Sequence, residues 1–150
     1  MVLLQYRGII FLNYTFLILV VGSIFAYFWI AVLSPMASNV FKPGLFSVVY
    51  ITAPSQEVAK KIARGLVENQ LAACVNIIPG ITSIYKWEGK IEEDSELLLM
   101  AKTKTERIEE LTSFVKANHP YSVPEVISTP IEKGHDLYLK FLHDNVPEKS

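Results

Sequence analysis

An α+β domain with the split βαβ, ferredoxin-like order βαββαβ plus a C-terminal helix is the fold class the sequence predicts, on three observations. Beyond residue 44, short β-branched and aromatic runs alternate with segments of helical period. One long hairpin pattern lies between the two main helical segments. The chain has 150 residues, room for one folded domain and little else.

The elements follow in order. LFSVVYITA, residues 45–53, is β-branched and aromatic and is stopped by Pro54, so it is expected as a buried strand. Ser55 is placed to cap a helix through about Asn69, with Glu57 at its positive end and Val58, Ile62, Ala63, Leu66 and Val67 as its apolar stripe. Lys60, Lys61 and Arg64 fall on the wet face. Leu71 to Tyr85 is strand-like but broken by Pro79-Gly80, which predicts a bulge within one long strand. Trp87-Glu88-Gly89-Lys90 is the hairpin turn, and Ile91 to Thr103 returns. Thr105 is expected to cap a second helix with the stripe Ile108, Leu111, Phe114 and Val115, ended by Asn118-His119-Pro120. Glu125 to Ile131 is expected as a last, central strand, and His135 to Asn145 as a terminal helix. An antiparallel sheet with both main helices on one face leaves the other face bare. Here both alternating residue sets of the long strands are rich in apolar side chains, which points to burial in an oligomer.

The N-terminal third has a different character. No charge occurs between Arg7 and Lys42, and as a helix the apolar run Ile9 to Leu33 would reach roughly 37 Å, enough to cross a bilayer. No polar face exists in it, so an amphipathic surface helix is excluded. The expected organisation is therefore a hydrophobic signal-anchor or leader over 1–35, a linker over 36–44 and a soluble domain over 45–150. The expected address is a membrane of the secretory pathway. A product started at Met36 would lack the span and be cytosolic.

Composition narrows the function classes. Fourteen Lys+Arg against 15 Asp+Glu leave no basic excess for a phosphate backbone, so no nucleic-acid partner is expected. A single cysteine, Cys74, excludes an intramolecular disulfide and a CxxC-type zinc site. Cys74 is a soft-metal ligand or a small core residue. His119, at a helix end beside a proline, serves a metal or a proton transfer, or only packs and caps. His135 and His143 lack metal-ligand spacing and get no role. Asp94 with Glu92, Glu93 and Glu96 forms an acidic run that reads best as a solvated hairpin. Lys102, flanked by apolar residues, needs a carboxylate partner, for which Glu125 is the candidate, or binds an anion. No nucleophile elbow, P-loop or dinucleotide fingerprint is present, so no enzyme is expected.

The segments LAACVNIIPGITSIYKWEGKIEEDSELLLMAKT, residues 71–103, and HPYSVPEVISTPIEKG, residues 119–134, strongly resemble the divalent-cation tolerance protein family, CutA. The resemblance covers about Val48 to Leu142. It implies a ferredoxin-like subunit in a tight homotrimer. From bacterial members it implies a role in copper and other divalent-metal tolerance. From animal members it implies anchoring or processing of acetylcholinesterase at membranes. It further implies that Tyr85, Trp87, Glu88, Lys102, His119, Tyr121 and Glu125 gather in a small-ligand cleft near subunit interfaces. Cys74 matches the cysteine proposed to meet copper, and the expected metal ligands of this chain are Cys74 and His119. Other bacterial cysteine ligands have no counterpart, and Phe141 stands where a tryptophan is common. The preferred expectation is a non-catalytic trimeric copper or divalent-metal binding protein that requires no cofactor. The alternatives are a membrane-tethered interaction protein with a membrane-protein partner, and a small-ligand sensor using Lys102, His119 and Glu125.

Overall fold

A computed structural model describes residues 41–149. The expected leader over 1–35 and its span Ile9–Leu33 lie outside the described residues, among which no helix is long and apolar enough to cross a membrane. The described elements are β1 (Phe46–Ala53), α1 (Gln56–Glu68), β2 (Cys74–Trp87), β3 (Lys90–Lys104), a 3-10 turn (Thr105–Arg107), α2 (Ile108–Asn118), β4 (Val126–Pro130) and α3 (Asp136–Asn145). The four strands form one antiparallel sheet in the order β2-β3-β1-β4, which is the ferredoxin-like order. Phe41 packs edge-on against Phe46, so contacts of the domain begin before Leu45.

Alternation in β1 and β3 sets the two faces. Val49, Ile51 and Ala53 pair with Ala101, Leu99 and Leu97 and meet α1 and α2 in the main core. The intervening residues Val48, Tyr50, Lys102 and Met100 point to the opposite face. α1 starts as expected, with Ser55 Oγ accepting from the Val58 N–H at 3.2 Å. Its buried stripe is Ala59, Ile62, Ala63 and Leu66, whereas Val67 is exposed. The i, i+3, i+4, i+7 set centred on Ile62 meets the sheet, and Val67 sits about 100° past Leu66, beyond its edge.

Three expectations are corrected. Thr105 does not cap α2: its hydroxyl donates to the Gly44 carbonyl at 2.6 Å and bonds the Ser47 hydroxyl at 2.8 Å, and the intervening 3-10 turn moves the helix start to Ile108. β4 is an edge strand rather than a central one, which accommodates Pro130 because one side of the strand needs no ladder donor. The second face is not wholly bare, since α3 packs Leu139 and Leu142 onto Phe46 at one end of it.

The β2–β3 hairpin is the long arm of the molecule. Its turn has Glu88 at φ 46 and Gly89 at φ 85, the two positive values of a two-residue I′ turn that matches strand twist. Farther down, Pro79 pairs with Leu97 but Ile81 pairs with Glu96, so one extra residue, Gly80 at φ 79, is inserted in β2. Below the bulge the even residues Cys74, Asn76 and Ile78 share a face with Lys102, Met100 and Leu98. Above it the odd residues Ser83 and Tyr85 share that face with Asp94 and Glu92.

α1 and α2 touch at Gly65, where an added Cβ would lie 2.3 Å from the Phe114 ring. Gly65→Ala in an exposed helix would gain about 1 kcal/mol of propensity. Here it is expected to destabilise by about 1–3 kcal/mol through overpacking, with Phe114→Leu restoring part of the loss; urea unfolding of the two single variants and the double variant measures both.

Candidate functional site

The bulge decides which side chains meet above it. A cleft of about 790 Å³ opens between the upper hairpin arm and residues 120–125. Ser83, Tyr85 and Trp87 come from β2, Asp94 and Glu96 from β3, Thr52 from β1, and Tyr121 and Glu125 from the loop before β4. The cleft therefore gathers three carboxylates and three aromatic rings, with no lysine, arginine or histidine among its lining residues.

Glu96 is the most constrained of these. It is 5% exposed. Ser83 Oγ donates to its Oε2 at 2.7 Å, while its Oε1 is buried without a hydrogen-bond partner. Asp94 is engaged instead by Tyr85, whose hydroxyl donates to Oδ2 at 2.5 Å. That hydrogen bond holds the phenol in its neutral form and pushes its pKa up to about 12. The Tyr121 hydroxyl is also raised, by burial first and then by the negative charges of Glu96 and Asp94.

Of the residues expected in a cleft, Tyr85, Trp87, Tyr121 and Glu125 line it. His119 stands behind the wall. Its Nε2 is 3.0 Å from the Thr52 carbonyl and its Nδ1 accepts from the Tyr121 N–H at 3.1 Å. These partners assign the neutral tautomer with the proton on Nε2. The ring also packs edge-on against Tyr121, with centroids 4.9 Å apart. His119 thus joins two lining residues and has both nitrogens occupied.

Glu88 lies at the exposed turn, and Lys102 lies outside the cleft altogether. Lys102 is paired in register with Cys74 and Val48, six residues along β3 from Glu96 or roughly 20 Å. Its Nζ donates to Asn76 Oδ1 and to the Met100 carbonyl and stands 3.8 Å from Cys74 Sγ. The expected Lys102–Glu125 pair is therefore replaced by bonds to an amide and a carbonyl. Cys74 is a half-buried free thiol. Beside it, the Tyr138 phenol has a raised pKa, through burial first and its contact with Cys74 second. Cys74 and His119 are not brought together: Cys74 is level with Val48 and His119 with Thr52, roughly 13 Å along β1. Among the described residues, no group of three or more His, Cys, Asp or Glu is arranged to hold a metal.

Sequence reasoning missed Glu96 and Ser83. The acidic run was expected to be solvated as a block, and Glu92 and Glu93 are indeed exposed. The available signal was the two-residue period: Asp94 and Glu96 share a face, and Glu96 abuts the apolar run LLLMA.

A model of the CutA1 divalent ion tolerance protein family matches residues 47–145. The chain belongs to this family. It is 58% identical over 113 residues to the Protein CutA homolog of Xenopus laevis, covering 75% of each chain. It is 52% identical over 109 residues to Protein CutA of Mus musculus, covering 73% of this chain and 62% of the mouse protein. The solved structure of the divalent cation tolerance protein (Cut A1) from Thermus thermophilus superposes with a TM-score of 0.67 at 54% identity, covering 68% of this chain and 99% of that one. The CutA resemblance carried by residues 71–103 and 119–134 is thereby confirmed, and those segments supply most of the cleft.

The Tyr85–Asp94 bond makes a pH prediction. Between about pH 10 and 12 the unfolded chain has released the Tyr85 proton and the folded chain retains it, so the stabilisation is present below pH 10 and is lost as pH rises to 12. Ultraviolet titration of the phenols is expected to show a late-titrating group, Tyr85 with Tyr121 and Tyr138, from which Tyr85 moves down toward 10 in Asp94→Asn.

Proposed function

We propose that the protein is a non-catalytic homotrimer that binds divalent cations, chiefly copper, in metal tolerance, and that the acidic cleft is its cation site. One observation carries this reading: a buried carboxylate, Glu96, whose Oε1 has no partner, in a cleft that holds Asp94 and Glu125 and no cationic side chain. Such a group is stabilised by an arriving positive charge. The names of the frog, mouse and Thermus relatives, two CutA proteins and a divalent cation tolerance protein, support the same class. The ion is cargo here. It would keep part of its water shell and touch one or two carboxylates, in the manner of hard-cation sites without a full protein cage. For a given set of oxygen donors, the general affinity order of first-row metals favours copper over zinc.

Trimer formation is supported by the apolar groups the single chain leaves in solvent, among them Ile84, Ile91, Val123 and Ile127, each more than half exposed. The non-catalytic reading is supported by the engagement of both His119 nitrogens in structural bonds. The apolar segment Ile9–Leu33 supports a membrane-tethered address.

Native mass spectrometry of the chain, purified metal-free and titrated with copper and zinc, tests this reading. The expected result is a trimer with saturable uptake that weakens about tenfold in Glu96→Gln and is unchanged in Cys74→Ala. Loss of copper in Cys74→Ala alone moves the site to the thiol, and absence of uptake overturns the reading.

A further inference from the structure

Glu96 is an exception to the pairing of buried charges. It is 5% exposed and faces the cleft, Ser83 satisfies Oε2 at 2.7 Å, and Oε1 has nothing. Among the described residues the Tyr121 phenol stands nearby, and a neutral hydroxyl there would fill a lone pair while leaving the charge uncompensated. Asp94 and Glu125 add negative charge on the same walls. The group that completes this site is a cation with a hydrogen to donate.

Two further observations separate an organic cation from a bare metal ion. The cleft volume of about 790 Å³ is that of a small-molecule pocket, many times the space of one ion. Away from the carboxylates it is lined by the aromatic side chains of Tyr85, Trp87 and Tyr121, which suit a carbon body and a diffuse positive charge. The carboxylates, meanwhile, do not converge into a chelating group of three.

We propose that the cleft binds a small primary ammonium compound, its N–H donating to Glu96 Oε1 and its carbon chain lying on Trp87 and Tyr121. This rests on the reading of the cleft as a cation site but names a different class of occupant, and the two readings fail separately. A quaternary ammonium has charge and carbon but no N–H, so it leaves Oε1 unpaired and binds more weakly.

The test uses the full chain carrying Trp29→Phe, so that Trp87 is the single tryptophan of the two in the sequence that still reports. It is titrated separately with butylammonium, tetramethylammonium and zinc by fluorescence and calorimetry. Saturable butylammonium binding is expected, at least about threefold tighter than tetramethylammonium and weakened about tenfold in Glu96→Gln. Trp87→Leu, at an exposed position where folding is not at stake, is expected to weaken butylammonium about threefold by calorimetry. Zinc binding that needs Glu96, without amine binding, overturns this inference and leaves the metal reading standing. Absence of both overturns this inference, and the copper titration decides the metal reading. Amine binding indifferent to Glu96→Gln and to Trp87→Leu also overturns it, as does a neighbouring subunit found to place its own cation on Oε1.

Discussion

One inserted residue in β2 organises this molecule. Side chains alternate along a strand, so one residue bulged out of the ladder passes each face from the even to the odd residues, or the reverse, for everything beyond it. If Gly80 were paired in the ladder instead of bulged out of it, the face that carries Val75 and Ile77 into the core would continue through Ser83 and Tyr85, and neither would reach Glu96 and Asp94. Gly80 takes φ 79, a conformation that strains other residues, and Pro79 before it removes a ladder donor at the same point. The lower arm thus serves the core and the upper arm serves the cleft. The Ser83–Glu96 and Tyr85–Asp94 bonds are both consequences of that exchange.

Charge is laid out along the same arm. The even positions of β3 run Glu92, Asp94, Glu96, Leu98, Met100, Lys102 and Lys104, acidic at the top, apolar in the middle and basic at the bottom. At the basic end the charges are satisfied within the chain: Lys104 is 3.7 Å from Glu148, and Lys102 is held by Asn76 and the Met100 carbonyl. At the acidic end one buried oxygen is left over. A separation of this kind along roughly 40 Å of strand keeps opposite charges from neutralising one another inside the subunit. The uncompensated end is the one that faces a cavity.

The cleft is held in shape by groups that do not line it. His119 ties the end of α2 to the Thr52 carbonyl and fixes the backbone at Tyr121, so three separate elements meet through one ring. A histidine in this setting contributes through geometry, as a neutral donor–acceptor. Its place beside Pro120 suits the role, because the proline forces the chain out of the helix where the ring must turn inward. The low exposure of His119 and the aromatic contact with Tyr121 belong to the same arrangement.

Local features made most of the fold legible in the sequence: the β-branched run of β1, the Ser55 cap, the bulge at Pro79-Gly80, the Glu88-Gly89 turn and the Pro120 stop are each dictated by a few adjacent residues. The motif residues of 71–103 and 119–134 likewise sufficed for the family, and Tyr85, Trp87, Tyr121 and Glu125 for a third of the cleft. Tertiary structure alone decided the rest. Whether Glu96 is solvated like Glu93 or buried, whether Lys102 meets Glu125 or Asn76, whether Thr105 caps a helix or ties Gly44, and whether β4 lies inside the sheet or at its edge all depend on which distant segment arrives beside each residue. A side chain's conformational preference is carried by its neighbours in sequence. Its solvation and its partner are set by strand register, which a single inserted glycine is enough to reverse.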